Sequence, residues 1–276
     1  MSSLRGAFAL HSSPVDWCEE NWANGNFFAE FYNTISNVFF VLLPMASTFK
    51  MQKYCKTVDG SFWGFQILLS IVGIFSGYFH ATLSFAGQLL DEWSILWINL
   101  YAVAAWCPDR WIEGFATRKQ FKMYIVLLAV LMTPLALAHP AINAPMLLLF
   151  GGVQISMLID YYPRTKSKTI KNLGKCATTV FLCAVVCWVN DVVLCDFWKR
   201  TFSSIGLNYP QFHSFWHVGV STSSYASGVC FAFFKGEELG FDLTVEYFLW
   251  VMPWIEVAKT RGVDSNDNDS RSKKGD

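Results

Sequence analysis

The amino-acid sequence predicts an all-α membrane protein: a bundle of seven transmembrane helices with its N-terminus lumenal or extracellular and its C-terminus cytosolic. Three observations carry that expectation. Hydrophobic residues make up 53% of the 276 and charged residues only 15%, the balance of a polytopic membrane protein. Apolar stretches of about the 20 residues that a helix needs to cross the hydrocarbon core recur along the whole chain. Basic residues gather in alternate loops between them, the bias that sets orientation. The formal net charge is zero, so no global excess points to nucleic acid or another polyanion.

Residues 1–30 form a polar N-terminal segment whose short, broken apolar stretch does not fit a cleavable signal. The first hydrophobic helix is therefore expected to insert as a signal anchor. The expected spans lie at 31–51, 61–85, 90–107, 121–138, 143–162, 176–195 and 212–235, separated by short polar punctuation rather than linkers, so that 31–235 reads as one bundle. In 236–257, "EYFLWVMPWIEV" is shorter and interrupted by Pro253; it is expected to be an interfacial helix with a tryptophan belt, an eighth span being the alternative. Residues 258–276 are too hydrophilic to pack and are expected to be a disordered tail.

Orientation follows from the loops. Lys50, Lys53 and Lys56 follow the first span, Arg110, Arg118, Lys119 and Lys122 the third, and Arg164, Lys166, Lys168, Lys171 and Lys175 the fifth. These loops are expected in the cytosol, with the tail. The last four residues, "KKGD", fit the dilysine pattern that retrieval machinery reads on cytosolic tails in the endoplasmic reticulum and Golgi.

Ionisable groups inside spans are costly and tend to mark a site. Ser76 and His80 stand four apart on one helical face, and His213 and His217 repeat that spacing at the start of the last span. With this topology His80, the adjacent Asp91 and Glu92, and the His213/His217 pair all fall in one leaflet. Three of the chain's five histidines thus share one depth. Imidazole ligands without a nearby thiolate suit zinc, and three protein ligands leave the fourth position open, as in catalytic sites. The bland alternative is a pair of histidines hydrogen-bonded at the membrane interface. A di-iron site would need more histidines, and ligands four apart on one helix cannot take both faces of a haem.

The stretch "SGYFHATLSFAGQLLDE", with "QFHSFWH" downstream and "PVDWCEENW" and "AEFYNTISN" upstream, resembles the alkaline ceramidase family, seven-span amidases distantly similar to adiponectin and progestin receptors. The resemblance runs from about Pro14 to the end of the seventh span. It implies hydrolysis of ceramide to sphingosine and a fatty acid by a zinc-activated water. Carried over residue by residue, it implies that His80, His213 and His217 hold Zn²⁺, that Asp91 is the site's general base and acid, and that Ser76 stabilises the oxyanion. A serine satisfying the carbonyl one turn earlier is the alternative for Ser76. Glu92 points about 100° away from Asp91 on a helix and stays outside the chemistry.

Asp16, Glu19, Asn21 and Glu30 supply hard oxygens within a short segment, and Trp17 adds a backbone carbonyl. An acidic, solvated surface is the ordinary reading; the resemblance implies a calcium site made by these five residues. Most of the eight cysteines sit within spans. Cys18 and Cys195 are expected on the lumenal, oxidising side, and the resemblance implies that they pair. Asn190 and Asp191 are either partners of a zinc histidine or interhelical hydrogen-bonding groups. The competing functional classes are a non-enzymatic seven-span lipid receptor and a metal transporter.

Overall fold

The computed structural model describes residues 6–114, 116–138, 142–248 and 251–258. Helix α1 (Phe31–Ser36) and α2 (Val38–Thr57) form nearly one rod, interrupted at Asn37. It is followed by α3 (Ser61–Thr82) and α4 (Phe85–Trp106), the short α5 (Asp109–Ile112), α6 (Arg118–Ala138), α7 (Asn143–Tyr161), α8 (Lys168–Val193), the short α9 (Cys195–Ser204) and α10 (Phe212–Glu238). Each of the seven predicted apolar stretches coincides with a long helix. Three of these helical stretches, Phe31–Thr57, Ser61–Thr82 and Lys168–Val193, are long and apolar enough to cross a membrane by length and composition alone. The protein is thus mostly helical, with membrane-spanning character.

Small residues set the helix spacing, as is usual where backbones pack closely in a bilayer. At Gly73 on α3 a Cβ would come within 2.5 Å of the Phe40 Cβ on α2, and at Gly219 on α10 within 2.7 Å of the Ala184 Cβ on α8. The core between the helices is aromatic: Phe62, Phe65, Trp106, Tyr225 and Phe231 are all buried.

Two ends of the bundle differ in chemistry. At one end, ion pairs link Arg110 to Asp160 and Glu238, and Lys235 to Asp109 and Glu238, tying α5, α7 and α10 together. The same end carries an antiparallel hairpin, β1 (Leu243–Phe248) paired with β2 (Met252–Val257). This corrects the expected interfacial helix. The segment is rich in β-branched and aromatic residues, and in β2 Ile255 and Val257 turn inward while Glu256 faces out, the period of a strand. The hairpin is held by Tyr225, whose hydroxyl donates to the Pro253 carbonyl at 2.7 Å, and by Lys53, whose ammonium meets Glu256 at 3.0 Å.

At the other end the N-terminal segment closes over α3. The last carbonyls of a helix lack intrahelical partners; here His80, Ala81, Thr82 and Leu83 accept from the backbone N–H groups of Glu30, Ala29, His11 and Ser13 at 2.9 to 3.0 Å. Leu83 adopts a left-handed conformation with φ 48° to make that turn, unusual for a branched side chain, and its buried side chain packs with Ala29 and Phe79. Helix α9 is a further departure, since no helix is predicted between the sixth and seventh stretches. The tail, with its dilysine motif and the sequon at Asn268, lies outside the described residues, as does His139.

Candidate functional site

The C-terminal end of α3, the N-terminal part of α4 and the start of α10 meet beneath the N-terminal segment. Helical spacing brings His213 and His217 to one face of α10, and the packing of α10 against α3 brings His80 to them. All three are buried, and one nitrogen from each lies within 4.8 Å of the others. Among the described residues no other group of three histidine, cysteine or carboxylate side chains is drawn together in this way.

Hydrogen bonds assign the inner nitrogens. His80 Nδ1 lies 2.5 Å from Glu30 Oε2, so this nitrogen is taken up by the carboxyl group, and His80 Nε2 is left buried with no partner. Ser36 Oγ lies 2.8 Å and Asn37 Nδ2 3.4 Å from His217 Nδ1, so that nitrogen is occupied and Nε2 of the ring has no hydrogen-bond partner among the described residues. The ring of His213 stacks on Trp17 with centroids 3.8 Å apart, and its Nδ1 is buried without a partner. Orphaned buried acceptors cost free energy. Converging ring nitrogens, with His80 and His217 each held through the other nitrogen by an oxygen partner and His213 held by its stack on Trp17, fit a metal ion. The group can therefore hold one.

Asp91 is buried beside this cluster with Oδ1 unpartnered, and it lines an apolar cavity of about 190 Å³ with Ser76, His213 and His217. Ser76 lies against the Asp91 carboxylate. No hydrogen bond links its hydroxyl to the Val72 carbonyl, whereas Ser70 does bond the carbonyl one turn before it, at 3.0 Å. The rest of the cavity wall is largely aliphatic and aromatic, including Leu69, Ile95, Met146 and Phe181.

The five residues of the expected calcium site lie in one loop but are less tightly gathered than the histidines. Asn21 Nδ2 donates to both oxygens of Asp16 at 3.0 and 3.2 Å, and the Trp17 N–H donates to Glu30 at 3.2 Å. Glu19 accepts from the Tyr32 and Asn33 N–H groups at 2.7 and 2.8 Å, capping α1. Burial pushes the Glu30 carboxyl up to about 8, with the Asp16 charge adding to the effect. Burial raises Glu19 as well, Glu30 adding repulsion. The Asn21 carbonyl oxygen is buried without a partner. Clustered oxygens that repel one another fit a hard cation.

Cys18 and Cys195 form a disulfide with Cα atoms 5.5 Å apart, fastening the segment to the first residue of α9, just past the end of α8. Asp191 accepts from the Cys18 N–H at 3.2 Å and from the Tyr209 hydroxyl at 2.7 Å, and Asn190 accepts from Trp198 at 2.8 Å. Both side chains thus hold neighbouring segments, while His80 and His217 are oriented by Glu30 and Ser36 and His213 by its stack on Trp17. Ser36 escaped the sequence reading although it sits inside "AEFYNTISN"; nothing in a lone serine of an apolar stretch marks it until His217 is placed beside it. Glu92 makes no contact with the histidines and bonds Gln88 at 2.9 Å and Asn143.

Comparison with known proteins agrees with this geometry. The family model described as "Ceramidase" matches residues 9–259. The chain is 38% identical over 228 residues to an alkaline ceramidase of Drosophila melanogaster, covering 82% of this chain and 78% of that one. It is 33% identical to alkaline ceramidase 1 of Mus musculus over 271 residues, covering 93% and 94%, and 34% identical to alkaline ceramidase 1 of Homo sapiens over 216 residues, covering 78% and 80%. This chain belongs to the ceramidase family.

Proposed function

We propose that this chain is an alkaline ceramidase, hydrolysing the amide bond of ceramide within the membrane to give sphingosine and a free fatty acid. The observation that carries the reading is the buried histidine triad, with His80 Nε2 and His213 Nδ1 unpartnered, beside the Asp91 carboxylate, whose Oδ1 is unpartnered, on the wall of an apolar cavity.

Zn²⁺ held by His80, His213 and His217, with a fourth position open, would polarise the amide carbonyl and lower the pKa of its water. Asp91 accepts the proton of the attacking water and returns it to the leaving amine, so that a C–O bond forms as the C–N bond breaks. Ser76 donates to the amide oxygen as negative charge develops there. The apolar wall receives the aliphatic chains and excludes water. Glu30 and Ser36 fix the tautomers of His80 and His217, so that both present Nε2 inward.

Asp16, Glu19, Asn21 and Glu30, with the Trp17 carbonyl, are proposed to bind Ca²⁺ as a structural or regulatory ion. The mutual repulsion of these carboxylates supports this. All seven long helices are proposed to span the bilayer, with the N-terminal segment lumenal and the tail cytosolic, in the endoplasmic reticulum or Golgi membrane. The alternating basic loops support that orientation.

The test is fatty acid release from a panel of ceramides by purified protein, with and without calcium. Calcium-stimulated release from at least one ceramide is expected. Bound zinc with no release from any ceramide would favour a non-enzymatic lipid receptor instead.

A further inference from the structure

At the end of the bundle away from the histidines, α7, α8 and α10 leave a second cavity of about 470 Å³, which shares only Ile155 with the wall of the first. Its wall is aliphatic, from Ile155, Leu158 and Ile159 on α7 and Ile170 on α8. At its rim Lys171 and Lys175, four apart on one face of α8, converge on a single ring. Their Nζ atoms lie 5.1 and 5.3 Å from the centroid of Tyr162. Glu237 is near enough to Lys171 to feel its charge, but neither lysine forms an ion pair within 4 Å among the described residues. Basic residues in this loop are expected from orientation alone. Orientation does not require two ammonium groups to share one ring at the mouth of an apolar groove, where they repel each other.

We propose that this groove binds an anionic glycerophospholipid, one acyl chain lying along the aliphatic wall and the phosphate lying between Lys171 and Lys175. Basic pockets between membrane helices suit such headgroups, because the lysines act near the surface while the chain stays in the hydrocarbon. The floor is open at Gly174, where a Cβ would meet nothing closer than the Cys230 sulfur at 3.9 Å. The phosphate offsets one of the two lysine charges and relieves their mutual repulsion, and the acyl chain fills the groove lined by α7 and α8. The inference needs only that the bundle sits in a bilayer; it does not depend on the hydrolytic reading.

The test is native mass spectrometry of the full chain released from nanodiscs of phosphatidylcholine containing a minority of phosphatidylserine. One retained phosphatidylserine, enriched over phosphatidylcholine, is expected on the unmodified protein. Lys171→Ala with Lys175→Ala should cut the enrichment by about thirtyfold, and the corresponding double arginine variant should keep it. Gly174→Leu, which fills the groove and leaves both lysines in place, should also abolish it, and added inorganic phosphate should not displace the lipid. Absence of enrichment on the unmodified protein, or its persistence in the double alanine variant, would overturn the proposal. So would persistence in Gly174→Leu or full displacement by phosphate, since either would reduce the feature to a surface charge without a lipid site.

Discussion

Glu30 and His80 meet through Oε2 and Nδ1 at 2.5 Å, both side chains fully buried, so one carboxylate belongs to the acidic N-terminal loop and to the histidine cluster at once. A change in the loop therefore reaches His80 through this hydrogen bond, and His213 through its stack on Trp17. Glu30→Gln keeps the shape and removes the charge. It should weaken zinc retention about 10- to 100-fold, as loss of a ligand's oxygen partner does, and weaken calcium binding as well. Zinc and calcium content after dialysis against graded chelator checks both; loss of calcium alone would show that the bond does not tune the triad.

Asp91→Asn removes the proton acceptor without changing volume. Turnover should fall by about 10²- to 10⁴-fold with zinc still bound. Ser76→Ala should cost about 10²-fold in kcat with little change in KM. Single-turnover kinetics on a short-chain ceramide measure both, and a Ser76→Ala enzyme with unaltered kcat would remove the serine from the chemistry.

The disulfide closes a loop of 177 residues in sequence and anchors the segment that caps α3. Cys18→Ser should destabilise the fold by about 2 to 5 kcal/mol and loosen the calcium loop. It should therefore lower Tm, and the lowering should be smaller at high calcium. Thermal unfolding followed across a calcium series reads this out; a Tm equal to that of the parent would mean that the backbone contacts of residues 11–30 hold the segment unaided.

Topology gives a prediction independent of the chemistry. The sequon at Asn268 should remain unmodified in a cytosolic tail, whereas an acceptor sequon engineered into the N-terminal segment should be glycosylated. A glycosidase-sensitive mass shift at Asn268 would reverse the orientation.

Much of this arrangement is legible in the sequence because the elements that matter are periodic or paired. His213 and His217 declare a shared face by spacing alone, and Ser76 with His80 repeats it. Long apolar runs locate the helices, some closely: the expected 61–85 is Ser61–Thr82 and the expected 212–235 is Phe212–Glu238, whereas the expected 176–195 begins eight residues earlier, at Lys168, and the expected 31–51 runs on to Thr57. What spacing cannot carry is contact between distant segments. The Ser36 and His217 pair is 181 residues apart, and the pairing of Glu30 with His80 exists only because the N-terminal segment docks on the last turn of α3. The hairpin was hidden for another reason: "EYFLWVMPWIEV" is as aromatic as an interfacial helix, and its alternation of period two shows only once Tyr225 and Met51 cover one face. Asp191 stands within reach of both roles in sequence, and tertiary packing gives it to Cys18 and Tyr209.

The most direct test of the central claim is hydrolysis of a ceramide by the purified protein after removal of metal and after zinc is restored, with His217→Ala alongside. The account predicts activity that disappears with the metal, returns with about one zinc per chain, and is absent in His217→Ala although that variant remains folded. Full hydrolysis by the metal-free protein, or by folded His217→Ala without bound zinc, would contradict it.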